Sequence, residues 1–358
     1  MMNNSSKSWL QSQMRAVIEK CNNSSKRLAE IRSINFSKGQ DTVTKYISKR
    51  ILHSLITLCI VIVIVLALLR QMPIEGYFNN FDKMSQTQIN VTLKQLGLKD
   101  PLPVQVGRYF VQLLHGDFGT SIKYRAGYSN AKIIAQKAPL SIEIGLISLA
   151  IALILGLPLG AAMARSTRSK FKFWDRFGTV LIVIVQAIPS AVYYLLIQLY
   201  GSEWFGVSML FSRSNYATWI LPIFSLSLGN IVYYAMWLRR FMVDEANKDY
   251  IKLACAKGVS QKKIWDRHVF RNAIVPLVQY IPNSILFTLM GSLYVESLYS
   301  IPGMGGLLVQ AIKIQDNTLV EALVVLYSMI SVVGLLLGDI LMAIFDPRIS
   351  FTGKEGAR

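Results

Sequence analysis

Residues 249–260 have the sequence DYIKLACAKGVS, a polar stretch that lies between two long apolar segments. Gly258 suits the left-handed backbone conformation that often ends a helix. Ser260 can cap a following helix by accepting a backbone N–H. The stretch therefore predicts two short helices joined by a hinge. Pro276 lacks an amide hydrogen, which predicts a break before the next apolar segment.

The second of these helices has an amphipathic pattern. Residues at i, i+3 and i+4 share one face of a helix, and the residues with that spacing are Ile264, Trp265, His268, Val269 and Asn272. Such a helix at a membrane surface can dock into a groove of a partner protein. A basic loop beside a membrane can instead hold anionic lipid headgroups. The spacing alone leaves both interpretations open.

Composition places the chain in a membrane. Hydrophobic residues make up 53% of the 358 residues, charged residues make up 16%, and the net charge is +18. A charged fraction this far below the roughly 25% of a soluble domain, together with long apolar segments, favours a membrane protein over a nucleic-acid-binding protein. The three cysteines have no CxxC spacing, so they predict neither a disulfide framework nor a zinc site.

The apolar segments and the basic loops predict six membrane spans. Each segment approaches the roughly 20 residues that cross a bilayer, and the approximate spans are 51–69, 140–163, 177–200, 217–238, 277–295 and 319–344. The third is interrupted by Pro189. Lys and Arg concentrate before the first span and in the loops at 165–176 and 239–271, which predicts that these loops and both termini are cytoplasmic.

These boundaries divide the chain into parts with different locations. The predicted parts are a cytoplasmic N-terminal extension at 1–45, the first transmembrane helix at 46–69, an extracytoplasmic loop or cap at 70–137, a transmembrane core at 138–345 that contains a cytoplasmic loop at 239–275, and a cytoplasmic tail at 346–358. The predicted fold class is an all-α polytopic membrane protein with an external loop domain after the first helix.

Four groups of sequence motifs are distributed along the chain. They are the segment from Asp249 to Pro276, the external LGLKDPLPVQ and GDFGTS segments, the segment V-E-x-x-Y-x-x-P-G-M-G that ends at Gly305, and Asp346-Pro347-Arg348. Together they resemble permease subunits of binding-protein-dependent ABC importers of the oligopeptide/dipeptide/nickel branch, most of all the B-type oligopeptide subunit. The resemblance covers about residues 46–351 and implies the type I ABC importer fold.

The resemblance implies a role for the opening stretch. In that family the corresponding EAA-type loop forms the coupling helix, which docks on the ATPase subunit. The EAA positions fall on Lys252-Leu253-Ala254, so only one alanine of the motif is present. The residues that the resemblance assigns to this loop are Asp249, Tyr250, Lys252, Leu253, Ala254, Ala256, Lys257, Gly258, Ser260, Arg267, His268, Arg271 and Asn272.

Two further groups of residues are candidates for function. Glu296, Pro302, Gly303 and Gly305 belong to the external turn that the family motif identifies. Neutral hydrogen-bonding residues inside the predicted spans suit peptide cargo, which offers amides at every residue. The candidates for such a translocation path are Gln186, Asn230, Asn283 and Ser284.

The chain has no recognisable energy source or catalytic centre of its own. No GxxxxGK[ST], HExxH or GxSxG motif occurs. The resemblance therefore implies a non-catalytic subunit of the bacterial cytoplasmic membrane that binds no cofactor, with ATP and magnesium on partner subunits. The implied partners are a second homologous permease, two cytoplasmic ATPases, an extracytoplasmic binding protein, peptide cargo and membrane lipid, but no nucleic acid.

Three alternatives remain beside an oligopeptide permease. The same branch carries nickel and other small cargo. A self-sufficient secondary transporter or channel would be expected to show internal repeats and charged relay residues at the membrane midplane, and the sequence shows neither. A membrane-bound enzyme would need a catalytic constellation, which is missing.

Overall fold

A computed structural model describes residues 48–78, 81–278, 280–289 and 292–345. The predicted extension at 1–45 and the tail at 346–358, which includes the Asp346-Pro347-Arg348 motif, lie outside the described residues. Contacts divide the chain into two units. One unit is Ser54–Met342, and the other consists of both termini, of which the described parts are the helical ends at 48–53 and 343–345.

The described part of the chain is built from helices, with one isolated β-bridge between Thr120 and Ser129. The long helices are α1 (Ser48–Leu69), α4 (Asn130–Ser166), α5 (Phe173–Ala187), α6 (Ser190–Phe205), α7 (Ile220–Ala246) and α15 (Asn317–Phe345). The shorter ones are α2 (Gln86–Gln95), α3 (Leu102–Leu114), α8 (Asp249–Ala256), α9 (Gln261–Lys263), α10 (Arg271–Ala273), α11 (Val275–Val278), α12 (Tyr280–Leu289), α13 (Leu293–Leu298) and α14 (Met304–Lys313).

Four of these helices are long and apolar enough to span a membrane. They are α1, α4, the 31-residue helical segment Tyr216–Ala246 that contains α7, and α15 up to Leu341, and the bent pair α5 and α6 provides a fifth candidate. The predicted fifth span at 277–295 is divided among α11, α12 and α13, with residues 279, 290 and 291 outside the described part. The structure is that of a multi-pass, all-helical membrane protein.

The predicted third span is not a straight helix. Helices α5 and α6 meet at Pro189 at an angle of 103°. Proline donates no backbone hydrogen bond and forces the preceding residue, Ile188, towards an extended conformation, which it adopts with ψ 125°. Pro139 and Pro158, in contrast, lie inside the continuous helix α4. Helix α4 begins at Asn130, within the segment predicted as external loop.

Helices α4 and α7 form the centre of the molecule because two glycines let their backbones approach. A Cβ added to Gly156 would lie 2.8 Å from the carbonyl oxygen of Ile231, and one added to Gly160 would lie 2.6 Å from that of Ala235. Small residues four apart allow this close packing of membrane helices. The buried side chains of Tyr234 and Leu238 lie in the core that these two helices share.

One carboxylate holds the region between α3 and α4 against the start of α15. Asp316 accepts hydrogen bonds from the Ser121 hydroxyl at 2.6 Å and from the backbone amides of Lys123 and Tyr124, both at 2.9 Å. Burial opposes its ionisation, but these donors outweigh that effect and hold the pKa of Asp316 below its usual range. The segment around 121–124 is therefore fixed to the turn between α14 and α15.

Candidate functional site

The hinge predicted between two short helices is present at Gly258. Helix α8 ends at Ala256, and Gly258 has φ +75°, the left-handed region that favours glycine. The amide of Val259 donates to the carbonyl of Ala254 at 3.2 Å and closes the end of the helix. Ser260 occupies the position before α9, as predicted, but its side chain makes no capping hydrogen bond. The predicted cap interaction is therefore wrong, although the position is right.

The second short helix differs from the predicted regular α-helix. Residues Ile264–Phe270 form a π-helical segment between α9 and α10, with hydrogen bonds of i to i+5 type. This changes the predicted face, because Ile264, Trp265 and Val269 are buried whereas Asn272 is exposed. The helical path breaks at Ile274, two residues before Pro276, which itself lies within α11.

The buried side of this region belongs to the main core. Ile251, Ile264 and Val269 are buried in the same cluster as residues of α4 and α7, and Ala254 and Val259 pack against it. Apolar burial of this kind contributes roughly 25 cal/mol for each Å² removed from water. The two short helices are thus packed on the long helices α4 and α7.

A hydrogen-bond network centred on Tyr250 joins α7, α8 and α10. Its hydroxyl donates to Glu245 and, at 3.3 Å, contacts the carbonyl oxygen of His268, while the Asn272 amide donates to it at 2.8 Å. Glu245 also pairs with Lys248 at 2.6 Å. Partial burial and the hydrogen bond to Glu245 raise the pKa of Tyr250 to about 12, so the hydroxyl stays protonated at neutral pH.

Two arginines from the end of α4 and the loop after it also hold this region. Arg165 forms an ion pair with Asp266. Arg168 donates to the carbonyl oxygen of Ala246 at 2.9 Å, and its guanidinium lies 5.7 Å from the ring centre of Trp265. The first pair is about half exposed and contributes little to stability, but the Arg168 contacts define where the loop lies.

The remaining predicted residues form an exposed face on the outer side of the hinge. Leu253 is 57% exposed, which leaves an apolar side chain without a covering partner in the described chain. Lys252 and Asp249 are both exposed, and they form an ion pair at 2.8 Å. Other exposed members of the predicted set are Ala256, Lys257, Ser260, Arg267 and Arg271. Leu253 is thus an exposed apolar residue whose exposed charged neighbours are two bases, Lys252 and Lys257, and one acid, Asp249, which suits contact with a protein surface.

The turn predicted to be external is more tightly packed than a simple loop. Glu296 is buried and accepts from the Ser141 hydroxyl at 2.7 Å and from the amides of Gly305 and Gly306 at 2.7 and 3.0 Å. A Cβ at Gly303 would lie 2.4 Å from both the Glu296 and Ser141 oxygens. Pro302 is exposed at the same turn.

The four translocation-path candidates already have local contacts. The Gln186 amide lies 3.4 Å from the Met236 sulfur, and the Asn230 amide donates to Leu226 of its own helix at 3.2 Å. Ser284 accepts from the Tyr234 hydroxyl at 2.7 Å. Asn283 lies against Gly334, since a Cβ there would be 2.9 Å from the Asn283 side-chain oxygen. Their role in a path stays a prediction.

Comparison with known proteins identifies the class. Residues 156–351 match the family described as binding-protein-dependent transport system inner membrane component. The match begins within the last third of α4 and covers the described helices after it, including the hinge and the turn around Pro302. The chain belongs to this family of membrane permease components.

The relatives are named as peptide permeases. The chain is 33% identical over 312 residues to the dipeptide transport system permease protein DppB of Lactococcus lactis subsp. cremoris, covering 86% of this chain and 99% of that protein. It is 30% identical over 316 residues to the oligopeptide transport system permease protein OppB of Escherichia coli, with the same coverage. It is 34% identical to the permease protein AmiC of Streptococcus pneumoniae, covering 67% of this chain but only 48% of AmiC.

Sequence reasoning missed several residues that organise these sites. Ser141, Arg168 and Asp316 act through contacts with residues far away in the sequence, and no local pattern marks them. Gly156 and Gly160 could have been found, because their spacing of four in an apolar segment is a recognised helix-packing signal.

Proposed function

We propose that this chain is the pore-forming permease subunit of an ATP-driven importer that moves oligopeptides across the bacterial cytoplasmic membrane by alternating access. Family membership and the names of the relatives support the class and the cargo. The observation that carries the coupling role is the exposed Leu253 on helix α8, a helix that is buried through Ile251 in the core of α4 and α7.

The proposed coupling works through this two-sided arrangement. A partner ATPase would bind the exposed face of α8 and the hinge, and its movement would pass through Ile251 and Ile264 to α4 and α7. Docking can shift the conformation only if the ATPase binds one orientation of the helices more tightly than the other. The chain itself would be non-catalytic and bind no cofactor, with ATP and magnesium held by the two ATPase subunits.

The proposed importer contains further subunits and cargo. A second homologous permease would complete the pore, and an extracytoplasmic binding protein would deliver the peptide. The proposed fold is that of type I ABC importers, with six spans and both termini cytoplasmic, in which α11, α12 and α13 together supply the fifth span. Residues 70–137 would form the extracytoplasmic cap and residues 239–275 the cytoplasmic loop.

Reconstitution tests the function directly. Proteoliposomes that contain this chain, its second permease and the ATPases are expected to take up a labelled oligopeptide only when ATP and the binding protein are supplied. Vesicles that contain this chain alone are expected to show no uptake, because the chain carries no nucleotide-binding motif. Uptake by the chain alone would instead support a secondary transporter or channel.

Cysteine labelling tests the topology. Ser260 is exposed beside the hinge, and Thr87 is exposed on α2 in the proposed cap. In a background without Cys21, Cys59 and Cys255, an impermeant thiol reagent added to intact cells is expected to label Thr87→Cys but not Ser260→Cys. Both variants should react after the cells are opened. Labelling of Ser260→Cys from outside would contradict the proposed six-span arrangement.

Substitution of Gln186 tests the proposed translocation path. Gln186→Leu keeps the size of the side chain but removes the amide, and a lost hydrogen bond of about 1 kcal/mol corresponds to roughly fivefold lower uptake. Ile184→Leu is the matched control, because Ile184 is 52% exposed and lies two residues, or about 200°, away around α5. Equal peptide uptake by the two variants at equal amounts of assembled transporter would exclude Gln186 from the path.

A further inference from the structure

A cavity of about 280 Å³ lies between the end of α1, helix α3 and the start of α15. Leu66, Leu69, Leu98 and Phe118 contribute apolar walls. The volume is close to the lower limit of about 300 Å³ for small-molecule sites. It suits one side chain or the terminal group of a larger molecule better than an entire oligopeptide.

Two polar groups of this cavity have no partner in the described part of the chain. The Tyr109 hydroxyl is fully buried and makes no hydrogen bond. Glu321, on the first turns of α15, lines the cavity, and no described cation or hydrogen-bond donor contacts its carboxylate. A buried carboxylate or hydroxyl without a partner is costly. Both groups are therefore available to a ligand that offers hydrogen-bond donors.

The arginines of the cavity do not supply that partner. Arg108 is paired with Asp100 at 2.6 Å, and Arg70 donates to the Asp100 carbonyl oxygen at 3.4 Å. Both arginines are exposed, whereas Glu321 is partly buried and the Tyr109 hydroxyl is fully buried. The arginines thus lie on the exposed side of the cavity, and Glu321 is the one acidic side chain among the residues that line it.

The two tyrosines of the cavity keep their protons. Burial, and secondarily the nearby Glu321 carboxylate, raise the pKa of Tyr77 to about 12 and raise the pKa of Tyr109 as well. Both hydroxyls are therefore neutral at physiological pH. A neutral hydroxyl has two lone pairs that can accept hydrogen bonds, so the inner cavity combines a carboxylate with hydroxyl acceptors.

We propose that this cavity binds a primary ammonium group on a short apolar chain, held between the carboxylate of Glu321 and the hydroxyl of Tyr109. An ammonium carries three donors and no acceptor. Its positive charge would compensate the buried carboxylate, and its methylene groups would contact the leucines and Phe118. A lysine side chain and the amino terminus of a peptide both have this chemistry.

Binding can be measured on the full-length chain without its transport partners. The chain would be placed in nanodiscs whose lipids, phosphatidylcholine and phosphatidylglycerol, contain no primary amine, and titrated by calorimetry. Nα-acetyl-lysine amide presents only an ε-ammonium, leucine amide presents only an α-ammonium, and Nα-acetyl-leucine amide presents neither. At least one of the two amines is expected to bind, and Nα-acetyl-leucine amide is expected not to bind.

Variants assign the binding to the cavity. Glu321→Gln is expected to weaken amine binding about tenfold or more, and Tyr109→Phe about fivefold, in line with the loss of a charged and a neutral hydrogen bond. Glu143→Gln is the matched control, because it removes an exposed carboxylate of α4 that does not line the cavity. It is expected to bind as the unmodified chain does.

The outcomes separate the two sources of the ammonium. Binding of Nα-acetyl-lysine amide alone would assign the site to a lysine side chain, and binding of leucine amide alone to a peptide amino terminus. The proposal would be overturned if neither amine binds, or if Nα-acetyl-leucine amide binds as tightly as the amines. It would also be overturned if the affinity for the amines is unchanged in both Glu321→Gln and Tyr109→Phe. If Glu321→Gln does not fold, Tyr109→Phe alone decides. Because no transport is measured, these results are independent of the proposed importer function.

Discussion

Gly258→Val is expected to abolish ATP-driven uptake while leaving the long helices folded. Gly258 has φ +75°, and no atom lies within 4 Å of where a Cβ would be. The effect is therefore one of backbone conformation and not of crowding. A left-handed conformation costs an L-residue roughly 1–2 kcal/mol and a β-branched residue more. Valine should shift the hinge to another conformation and redirect α9 relative to α8.

The matched control at this position is Gly258→Asn. Asparagine tolerates the left-handed region far better than valine, so it should retain most of the uptake. Membrane insertion, capture of the second permease and capture of the ATPases can be measured on the same membranes. Valine is expected to reduce only ATPase capture and uptake. Normal transport by Gly258→Val would show that the hinge does not receive energy from a partner.

Gly160→Leu is expected to destabilise the whole membrane core. The added Cβ would lie 2.6 Å from the carbonyl oxygen of Ala235 and 3.0 Å from its Cα. These are backbone atoms, so α4 and α7 must separate to make room. Overpacking typically lowers the free energy of unfolding by about 1–3 kcal/mol. Because this clash is with backbone atoms, the loss for Gly160→Leu should lie at or above the upper end of that range. A large decrease in the unfolding temperature of the purified protein is expected.

Gly107→Ala is the control for this second prediction. Gly107 lies in α3, and no atom lies within 4 Å of its added Cβ. Alanine favours a helix over glycine by roughly 1 kcal/mol, so this variant should unfold at the same or a higher temperature. If Gly160→Leu unfolds at the same temperature as the unmodified chain, the close approach of α4 and α7 is not required for stability.

The sequence by itself determined the class of the protein and the position of the hinge. Apolar segments long enough to span a bilayer and basic loops follow from hydrophobicity and charge, which are local properties. The left-handed conformation of Gly258 was predictable because only glycine adopts it without strain. The interruption at Pro189 was predictable because proline donates no backbone hydrogen bond, but Pro139 and Pro158 lie inside the continuous helix α4, so the bend of 103° came only from the structure.

The tertiary structure decided which side chains meet and how the local helices adapt to them. The amphipathic pattern put Ile264 and Val269 on one face, but only the tertiary structure shows that the segment Ile264–Phe270 is π-helical and that this face packs into the core of α4 and α7. Ser141 joins Glu296 across 155 positions of sequence, and Asp316 joins Ser121 across 195. Such contacts depend on the path of the chain through space, because a buried carboxylate is stabilised by whichever donors the fold brings to it.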